Sequence, residues 1–297
     1  MRVWGATLCG VDVALILVGS HAGDQKAPSS EGPARLVATG AEAVLTRRGL
    51  GVSVDTVSRP GPFRDTAASA RSVNILLAES VRAAAGAGRI PIVVAGSCNA
   101  ALGVLAGMDH SGWGVVWVDA HADFNTPEST VSGFFPGMTA AILVGHCYQR
   151  YWASMGDAAP LREDAVVMLG VRDLSPAAER ERLEQSAIRV VPWADGRPQQ
   201  DPDQALDELR RRVHDVYLHV DLDAFAPDVA PGVADPPVPG GLSSDQGFAL
   251  IRAVARRFRI RAVTIATYAP RHDRDDATLD LVLQLLDLLG HHVALQL

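Results

Sequence analysis

Short apolar runs alternate along the chain with longer stretches in which apolar residues recur every three or four positions. The short runs, rich in Val and Ile, predict buried strands at Val13–Val18, 92–94, 115–118, 165–169, 189–191, 216–220 and 262–265. The longer stretches predict helices at 67–85, 175–185, 204–213, 243–258 and 277–289. Because strands and helices alternate, the pattern predicts βαβ units and an α/β fold, with a mostly parallel sheet covered by helices on both faces.

The order of these elements indicates a single unit. The chain has no internal repeat and no obvious linker, so one domain over residues 1–297 is the simplest organisation. The polar segment 195–202 is expected to be a loop. The apolar run at 11–18 contains Asp12 and is atypical of a signal peptide. No apolar stretch is expected to reach the roughly 18 residues of a membrane span.

Composition narrows the classes of partner and compartment. A hydrophobic content of 48% and a charged content of 21% are typical of a soluble globular protein. The net charge of -7 and the lack of a Lys/Arg run argue against nucleic acid as a partner. Cys9, Cys98 and Cys147 are too few and too scattered for a disulfide framework. We therefore expect a reducing compartment, the cytoplasm.

Two acidic motifs directly follow two of the predicted strands. The strand at 115–118 is followed by Asp119-Ala-His121-Ala-Asp123, and the strand at 216–220 by Asp221-Leu-Asp223. Ligands of parallel sheets bind at the carboxyl ends of the strands, and alternate residues tend to face the same way. Converging buried acids repel one another and are costly to desolvate, so a pair of divalent cations is the natural compensation. An isolated acid at such a position more often caps a helix or pairs with arginine.

The residues around these motifs resemble a known family. The segments DAHADFNTPESTVS at 119–132 and HVDLDAFAP at 219–227 resemble the arginase/agmatinase (ureohydrolase) family, as do EGP at 31–33 and GGL at 240–242. The resemblance implies a three-layer αβα sandwich and hydrolysis of a guanidino-type C–N bond. It also implies two divalent metal ions, manganese in the family, which activate water between them.

The resemblance implies a particular set of metal ligands. The first ion would be held by Cys98, Asp119, Asp123 and Asp221, and the second by Asp119, His121, Asp221 and Asp223. Cys98, in the segment AGSC, replaces a histidine of the family pattern. A lone cysteine is more often a small core residue, but its place directly after a strand favours thiolate coordination.

Other departures from the family pattern concern the substrate. Pro136 stands where the family has a proton-shuttling histidine, and Thr267 stands where it has the acid that holds the guanidinium. Asn125 and Ser132 match positions that hold the α-carboxylate of an amino acid substrate. Ser175 replaces the acid that reads the α-amino group, which leaves recognition of that end open. We expect Thr267 to line the pocket without offering charge.

The missing shuttle leaves two residues as catalytic candidates. Asp123 is expected to carry the proton from water to the leaving nitrogen. His219, two residues before Asp221, should face the same way, either as a hydrogen-bond partner that orients a ligand or as a proton-transfer group. Cys98, Pro136 and a histidine before Asp-x-Asp resemble family members that hydrolyse Nω-hydroxy-L-arginine to hydroxyurea and ornithine.

Several functions stay open at this point. The predicted substrate is a small guanidino or hydroxyguanidino compound, with arginine, agmatine or a guanidino acid as alternatives to hydroxyarginine. A catalytically silent ligand-binding relative and a single-zinc deacetylase compete with the two-metal hydrolase, and the number of metal ions per chain separates the three. A homo-oligomer is also possible for such a chain.

Overall fold

The computed structural model describes residues 13–156 and 159–296. Its strands are β1 (Val13–Val18), β2 (Val52–Val57), β3 (Ile90–Ala95), β4 (Gly114–Val118), β5 (Val166–Leu169), β6 (Arg189–Val191), β7 (Trp193–Ala194), β8 (Arg197–Pro198), β9 (Asp215–Asp221) and β10 (Arg259–Ala266). Within the described residues, eight strands form one sheet in the order β2-β1-β3-β10-β9-β4-β5-β6. Each pairing in this sheet is parallel.

Helices cover both faces of the sheet. They are α1 (Gly32–Ala38), α2 (Ala41–Thr46), α3 (Thr66–Gly86), α4 (Ala100–Ala106), α5 (Thr139–Leu143), α6 (Gln149–Ala153), α7 (Ala177–Glu184), α8 (Pro202–Arg210), α9 (Ser244–Arg257) and α10 (Ala277–Leu295). Alternate strand residues enter opposite cores, so Leu218 packs with residues of α1, α2 and α8 to α10, whereas Tyr217 packs with residues of α3 to α7. This arrangement confirms the predicted three-layer αβα sandwich.

Local sequence signals fix where the longer helices begin. Asp65 accepts a hydrogen bond from the amide of Ala68 at the start of α3. Ser243 and Gln246 form a reciprocal capping box at the start of α9. Such caps satisfy amide groups that have no partner within the helix, and each contributes about 1 kcal/mol to stability.

Some elements differ from the sequence expectation. Strand β2 and the short helices α1, α2, α4, α5 and α6 were not predicted, because they lack a long periodic pattern. The expected loop at 195–202 instead contains β8, which pairs with β7 in a small antiparallel hairpin, and it ends in the first residue of α8. That residues 1–297 form a single domain stays a prediction.

The last helix also corrects an expectation about apolar stretches. Among the described residues, α10 is the one helix that is long and apolar enough, by length and composition alone, to cross a membrane. Its Leu281, Leu285 and Leu289 are buried in the core beneath the sheet. Burial of these side chains in the core therefore accounts for the apolar character of α10.

The order of the strands brings together the residues that follow four neighbouring strands. Strands β3, β10, β9 and β4 are neighbours in this order, and all four run in the same direction. Cys98 therefore follows β3 beside Thr267, which follows β10, and beside Asp221 and Asp119 at the ends of β9 and β4. The turn after β3 requires glycine, since a Cβ at Gly96 would lie 2.5 Å from the carbonyl oxygen of Ser20.

Candidate metal centre

A cavity of about 500 Å³ opens at the carboxyl ends of the central strands. The predicted site residues that line it are Cys98, Asp119, His121, Asp123, Asn125, Ser132, Asp221 and Asp223. Parallel α/β sheets place their ligand sites at this edge. The structure thus brings together most of the side chains that the sequence analysis selected.

A first group of ligand atoms, here called the inner cluster, lies at the deep end of the cavity and in the core directly behind it. It consists of Cys98, Asp119, His219 and Asp221, whose ligand atoms all lie within 4.8 Å of one another. Cys98 Sγ lies 2.6 Å from Asp221 Oδ2 and 3.8 Å from Asp119 Oδ2. The sulfur therefore faces the carboxylates, which is the placement that thiolate coordination requires.

A second group, here called the outer cluster, lies nearer to the cavity mouth. It consists of Asp119, His121 and Asp223, again with ligand atoms within 4.8 Å of one another. His121 Nδ1 lies 2.9 Å from Asp223 Oδ2 and 3.5 Å from Asp119 Oδ1. Asp119 belongs to both clusters, as a carboxylate bridging two ions would.

Hydrogen bonds from neighbouring N–H groups hold these carboxylates in place. Asp119 Oδ1 accepts from the amide of His121 at 2.7 Å, and its Oδ2 accepts from the indole N–H of Trp117 at 3.0 Å. Asp221 Oδ1 accepts from the amide of Asp223 at 2.8 Å, and Asp223 Oδ1 accepts from the amide of Ala120 at 3.1 Å. Partners of this kind orient metal ligands and strengthen metal binding.

The electrostatics of these side chains favour added positive charge. Burial, followed by repulsion from Asp223, raises the pKa of Asp119 to about 7. Burial and neighbouring acids also raise the pKa of Asp123 and of Asp221 well above the usual range. Burial opposes ionisation of Asp223, but contact with His121 outweighs it and lowers the pKa of that carboxyl.

Two buried polar atoms of the site have no hydrogen-bond partner among the described residues. They are Asp123 Oδ2 and His219 Nε2. A buried polar atom without a partner is costly, and a bound cation would satisfy both of these atoms. Carboxylate, imidazole and thiolate donors in two adjoining clusters fit two divalent cations.

Asp123 takes a separate position from both clusters. Its backbone is left-handed, with φ of 49°, and its side chain lines the cavity. Its carbonyl oxygen accepts from the amide of Ala140 at the start of α5, which holds the segment in this conformation. Its roles as ligand and proton carrier stay predictions.

The predicted substrate-binding residues divide into two groups. Asn125 and Ser132 line the cavity, and Asn125 Oδ1 accepts from the hydroxyl of Ser129 at 3.0 Å. Thr267 does not line the cavity. Its side chain is 1% exposed, and its hydroxyl donates to Asp221 Oδ1 at 2.6 Å. The expectation that Thr267 lines the pocket is therefore corrected, because the left-handed backbone at this residue, with φ of 75°, turns the side chain toward a metal ligand.

The catalytic candidate His219 also lies away from the cavity surface. Its side chain is fully buried, and burial lowers the pKa of its imidazole to about 3. The ring is therefore neutral at physiological pH. Direct proton transfer to a substrate requires access that this position does not have.

The cavity contains three acids that the sequence analysis missed, namely Asp173, Glu179 and Asp235. Glu179 Oε1 accepts from the amide of Phe124 at 2.8 Å, and burial raises the pKa of Glu179 to about 7. None of these acids stands directly after a predicted strand in an acidic motif such as Asp-x-Asp, so the sequence analysis did not select it. Chain folding alone brings them to the cavity.

Comparison with known proteins decides the family. A model of the Arginase family matches residues 11–290. The chain belongs to the Arginase family. An arginase of Brevibacillus brevis is 30% identical over 206 residues, which cover 67% of this chain and 68% of that protein. The N(omega)-hydroxy-L-arginine amidinohydrolase of Streptomyces lavendulae is 29% identical over 285 residues, covering 94% and 96%.

The fold comparison agrees with the family. The crystal structure of the arginase from Bacillus subtilis matches with a TM-score of 0.84 and 25% sequence identity, covering 94% of this chain and 98% of that one. The chain is thus a metal-dependent amidinohydrolase that cleaves a guanidino-type C–N bond. This result confirms the predicted family and enzyme class, and it disfavours the deacetylase and the silent relative.

Proposed function

We propose that this arginase-family enzyme hydrolyses Nω-hydroxy-L-arginine to hydroxyurea and L-ornithine, with two manganese ions. The observation that carries the proposal is the position of Cys98 Sγ in the inner cluster, 2.6 Å from Asp221 Oδ2. The 29% identity with the amidinohydrolase of Streptomyces lavendulae, over 94% of this chain, supports it.

The charge of the inner cluster explains why the hydroxylated substrate suits this site. A thiolate at Cys98 adds negative charge beside Asp119 and Asp221, which weakens the Lewis acidity of a bound ion. An N-hydroxyguanidine is much less basic than a guanidine and is largely neutral near pH 7. Its central carbon is a better electrophile than that of a guanidinium, so a less activated site can still support attack.

The cavity offers partners for the amino acid end of this substrate. Asn125 and Ser132 line the wall and present groups able to hold an α-carboxylate. Glu179 lines the same wall and offers a carboxylate for the α-amino group, the role left open by Ser175. Glu179 thus supplies an acid that local sequence matching did not find.

The reaction adds water across the bond between the guanidine carbon and Nδ of the substrate. Two bound divalent ions would lower the pKa of water and polarise the guanidine group. Asp123 accepts the proton that water loses and delivers it to the departing Nδ, which leaves as the amine of ornithine. Pro136 lines the cavity but cannot carry a proton, so this task falls to Asp123.

A second substrate class has one observation in its favour. Asp235 lines the cavity together with Asp223, on a loop distant in sequence from Thr267. Its carboxylate could hold the cationic head of an unmodified guanidine, such as arginine or agmatine, in place of the acid missing at Thr267. Burial raises the pKa of Asp235, which weakens but does not remove this attraction.

The test compares kcat/KM for hydroxyarginine, arginine and agmatine, with hydroxyurea, urea and ornithine as measured products. We expect a preference for hydroxyarginine in the manganese-loaded native enzyme. Cys98→His should shift the preference toward arginine by at least about tenfold, equivalent to about 1.4 kcal/mol of transition-state stabilisation. Cys147→Ser, a buried thiol that does not line the cavity, is the matched control and should change nothing.

Two outcomes would decide against the hydroxyarginine assignment. Equal or better turnover of arginine by the native enzyme would contradict it. A specific loss of arginine binding in Asp235→Asn, seen as a raised KM, would support the unmodified guanidine instead.

A further inference from the structure

We propose that His219 is a direct metal ligand, which completes the inner cluster through its Nε2 atom together with Cys98, Asp119 and Asp221. This assignment adds His219 to the ligand set expected from the sequence, which gave no imidazole to that ion. It rests on the metal centre of the proposed function but not on the choice of substrate.

The position of the ring is the first argument. His219 and Asp221 are alternate residues near the end of β9, so their side chains leave the strand on the same face. A ring nitrogen of His219 lies within 4.8 Å of the ligand atoms of the other three members of the inner cluster. The side chain is 0% exposed, so water cannot reach the ring from bulk solvent.

The hydrogen bonds of the ring are the second argument. The hydroxyl of Tyr217 donates to Thr264 Oγ1 at 2.7 Å, and the same oxygen lies 3.2 Å from His219 Nδ1. Because Tyr217 uses its proton for Thr264, its oxygen accepts from Nδ1–H. This bond selects the tautomer in which Nε2 carries a free lone pair. Among the described residues, Nε2 has no hydrogen-bond partner.

The plane of the ring is held by a third contact. Trp117 stacks on His219 with ring centroids 3.7 Å apart and planes inclined by 16°. Trp117 also donates its indole N–H to Asp119 Oδ2, so one side chain positions two members of the inner cluster. Metal-bound imidazoles are commonly oriented by such a hydrogen bond at the second ring nitrogen, and here Tyr217 provides it.

The charge of the cluster gives the chemical reason for an imidazole. With Cys98 as thiolate, the inner cluster carries three anionic side chains around one divalent ion. A neutral imidazole adds a fourth donor without adding charge, and a set of sulfur, nitrogen and oxygen donors suits borderline metal ions.

Cadmium-113 NMR of protein containing nitrogen-15-labelled histidine tests the assignment without any substrate. Sulfur coordination shifts a cadmium resonance strongly downfield, and a metal–nitrogen bond splits it through the labelled ring nitrogen. In the native protein loaded with cadmium, the sulfur-shifted resonance should show coupling to one histidine nitrogen. His121→Ala, which removes the imidazole of the outer cluster, should keep this coupling.

Two variants of the ring and its partner separate a ligand from a positioning residue. His219→Ala should remove the coupling while the sulfur shift persists, and should weaken binding of the inner ion about 10–100-fold or more. Tyr217→Phe, which removes only the hydroxyl beside Nδ1, should retain the coupling. A sulfur-shifted resonance without histidine coupling in the native protein would overturn the proposal, whether or not the variants fold. Because the spectrum needs no turnover, the result is independent of the hydroxyarginine preference.

Discussion

The two halves of the metal centre are built in different environments. In the inner cluster, Cys98 is 6% exposed, His219 is 0% exposed and Asp221 is 1% exposed. In the outer cluster, the side chain of His121 is 32% exposed and its Nε2 lies 4.0 Å from Asp173, itself 44% exposed. The inner half departs from the family pattern and the outer half keeps it.

This difference indicates a division of tasks between the two halves. Aromatic and hydroxyl side chains enclose the inner cluster, so its donor set governs the charge that a bound ion carries. The outer cluster meets the cavity, where the substrate must enter. Changes of ligand type in the inner half can therefore alter selectivity while the substrate-facing half stays the same.

The largest expected effect comes from Asp119, which both halves share. Asp119→Asn should lose both ions and lower kcat/KM on the order of 10³-fold or more, since metal ions supply several kcal/mol of charge stabilisation. Asp223→Asn touches only the outer half and should retain one ion per chain. Metal analysis after gel filtration, beside steady-state kinetics, checks both. Equal metal loss in the two variants would break the distinction between the halves.

A smaller effect is expected from residues that support the ligands. Trp117→Phe keeps the aromatic stack on His219 but removes the N–H donated to Asp119, and should weaken metal affinity about 10–100-fold. Thr267→Val removes the hydroxyl that donates a hydrogen bond to Asp221 and should also weaken metal affinity. Competition with a metal indicator measures these affinities.

The matched change for this prediction lies on the outer side. Asp173→Asn removes an exposed charge near His121 and should leave metal affinity within about threefold, because exposed ion pairs contribute little. Should Asp173→Asn weaken binding as much as Trp117→Phe, burial would not be what separates the halves.

The smallest effect is the pH dependence of stability in the metal-free protein. The pKa of Asp119 is raised from 3.8 to about 7, so the folded state binds more protons than the unfolded state in that interval. The stabilisation that Asp119 contributes is therefore fully present below about pH 4 and is lost as pH rises through about 7. The raised pKa of His121 acts in the same direction above its ordinary value. The lowered pKa of Asp223 acts only at more acidic pH.

Thermal unfolding followed by circular dichroism measures this dependence. From about pH 5 to about pH 7.5, the Tm of the metal-free protein should fall by several degrees. The metal-loaded protein should gain stability over the same range, because metal binding displaces protons from its ligands. The metal-free Asp119→Asn protein should show a flatter profile, and an unchanged slope would remove Asp119 as the cause.

Much of the fold and of the site followed from the sequence. Side chains alternate with a period of two residues in strands and 3.6 residues in helices, so the spacing of apolar residues indicates which element forms. Asp119-x-His121-x-Asp123 and Asp221-x-Asp223 stand directly after apolar strands, so their convergence follows from the parallel sheet. Cys98 was selected from its place after the strand at 92–94 and from the family resemblance, which has a histidine ligand at this position.

Other parts depended on contacts between distant segments. Glu179 and Asp235 reach the cavity from segments that carry no strand-end acidic motif. Thr267 was expected in the pocket, but its left-handed backbone aims the hydroxyl at Asp221. No local periodicity encodes such a backbone conformation, since neighbouring strands and loops impose it.

The sequence by itself determined the αβα architecture, the family and the acids that surround the metals, because hydrophobic period and strand-end motifs are local properties. Only the tertiary structure decided the environment of His219. Its tautomer, its stack on Trp117 and its free Nε2 depend on residues of β4, β9 and β10 that meet only when the sheet forms. The donor properties of a side chain are set by such neighbours, and a linear sequence does not state which neighbours those are.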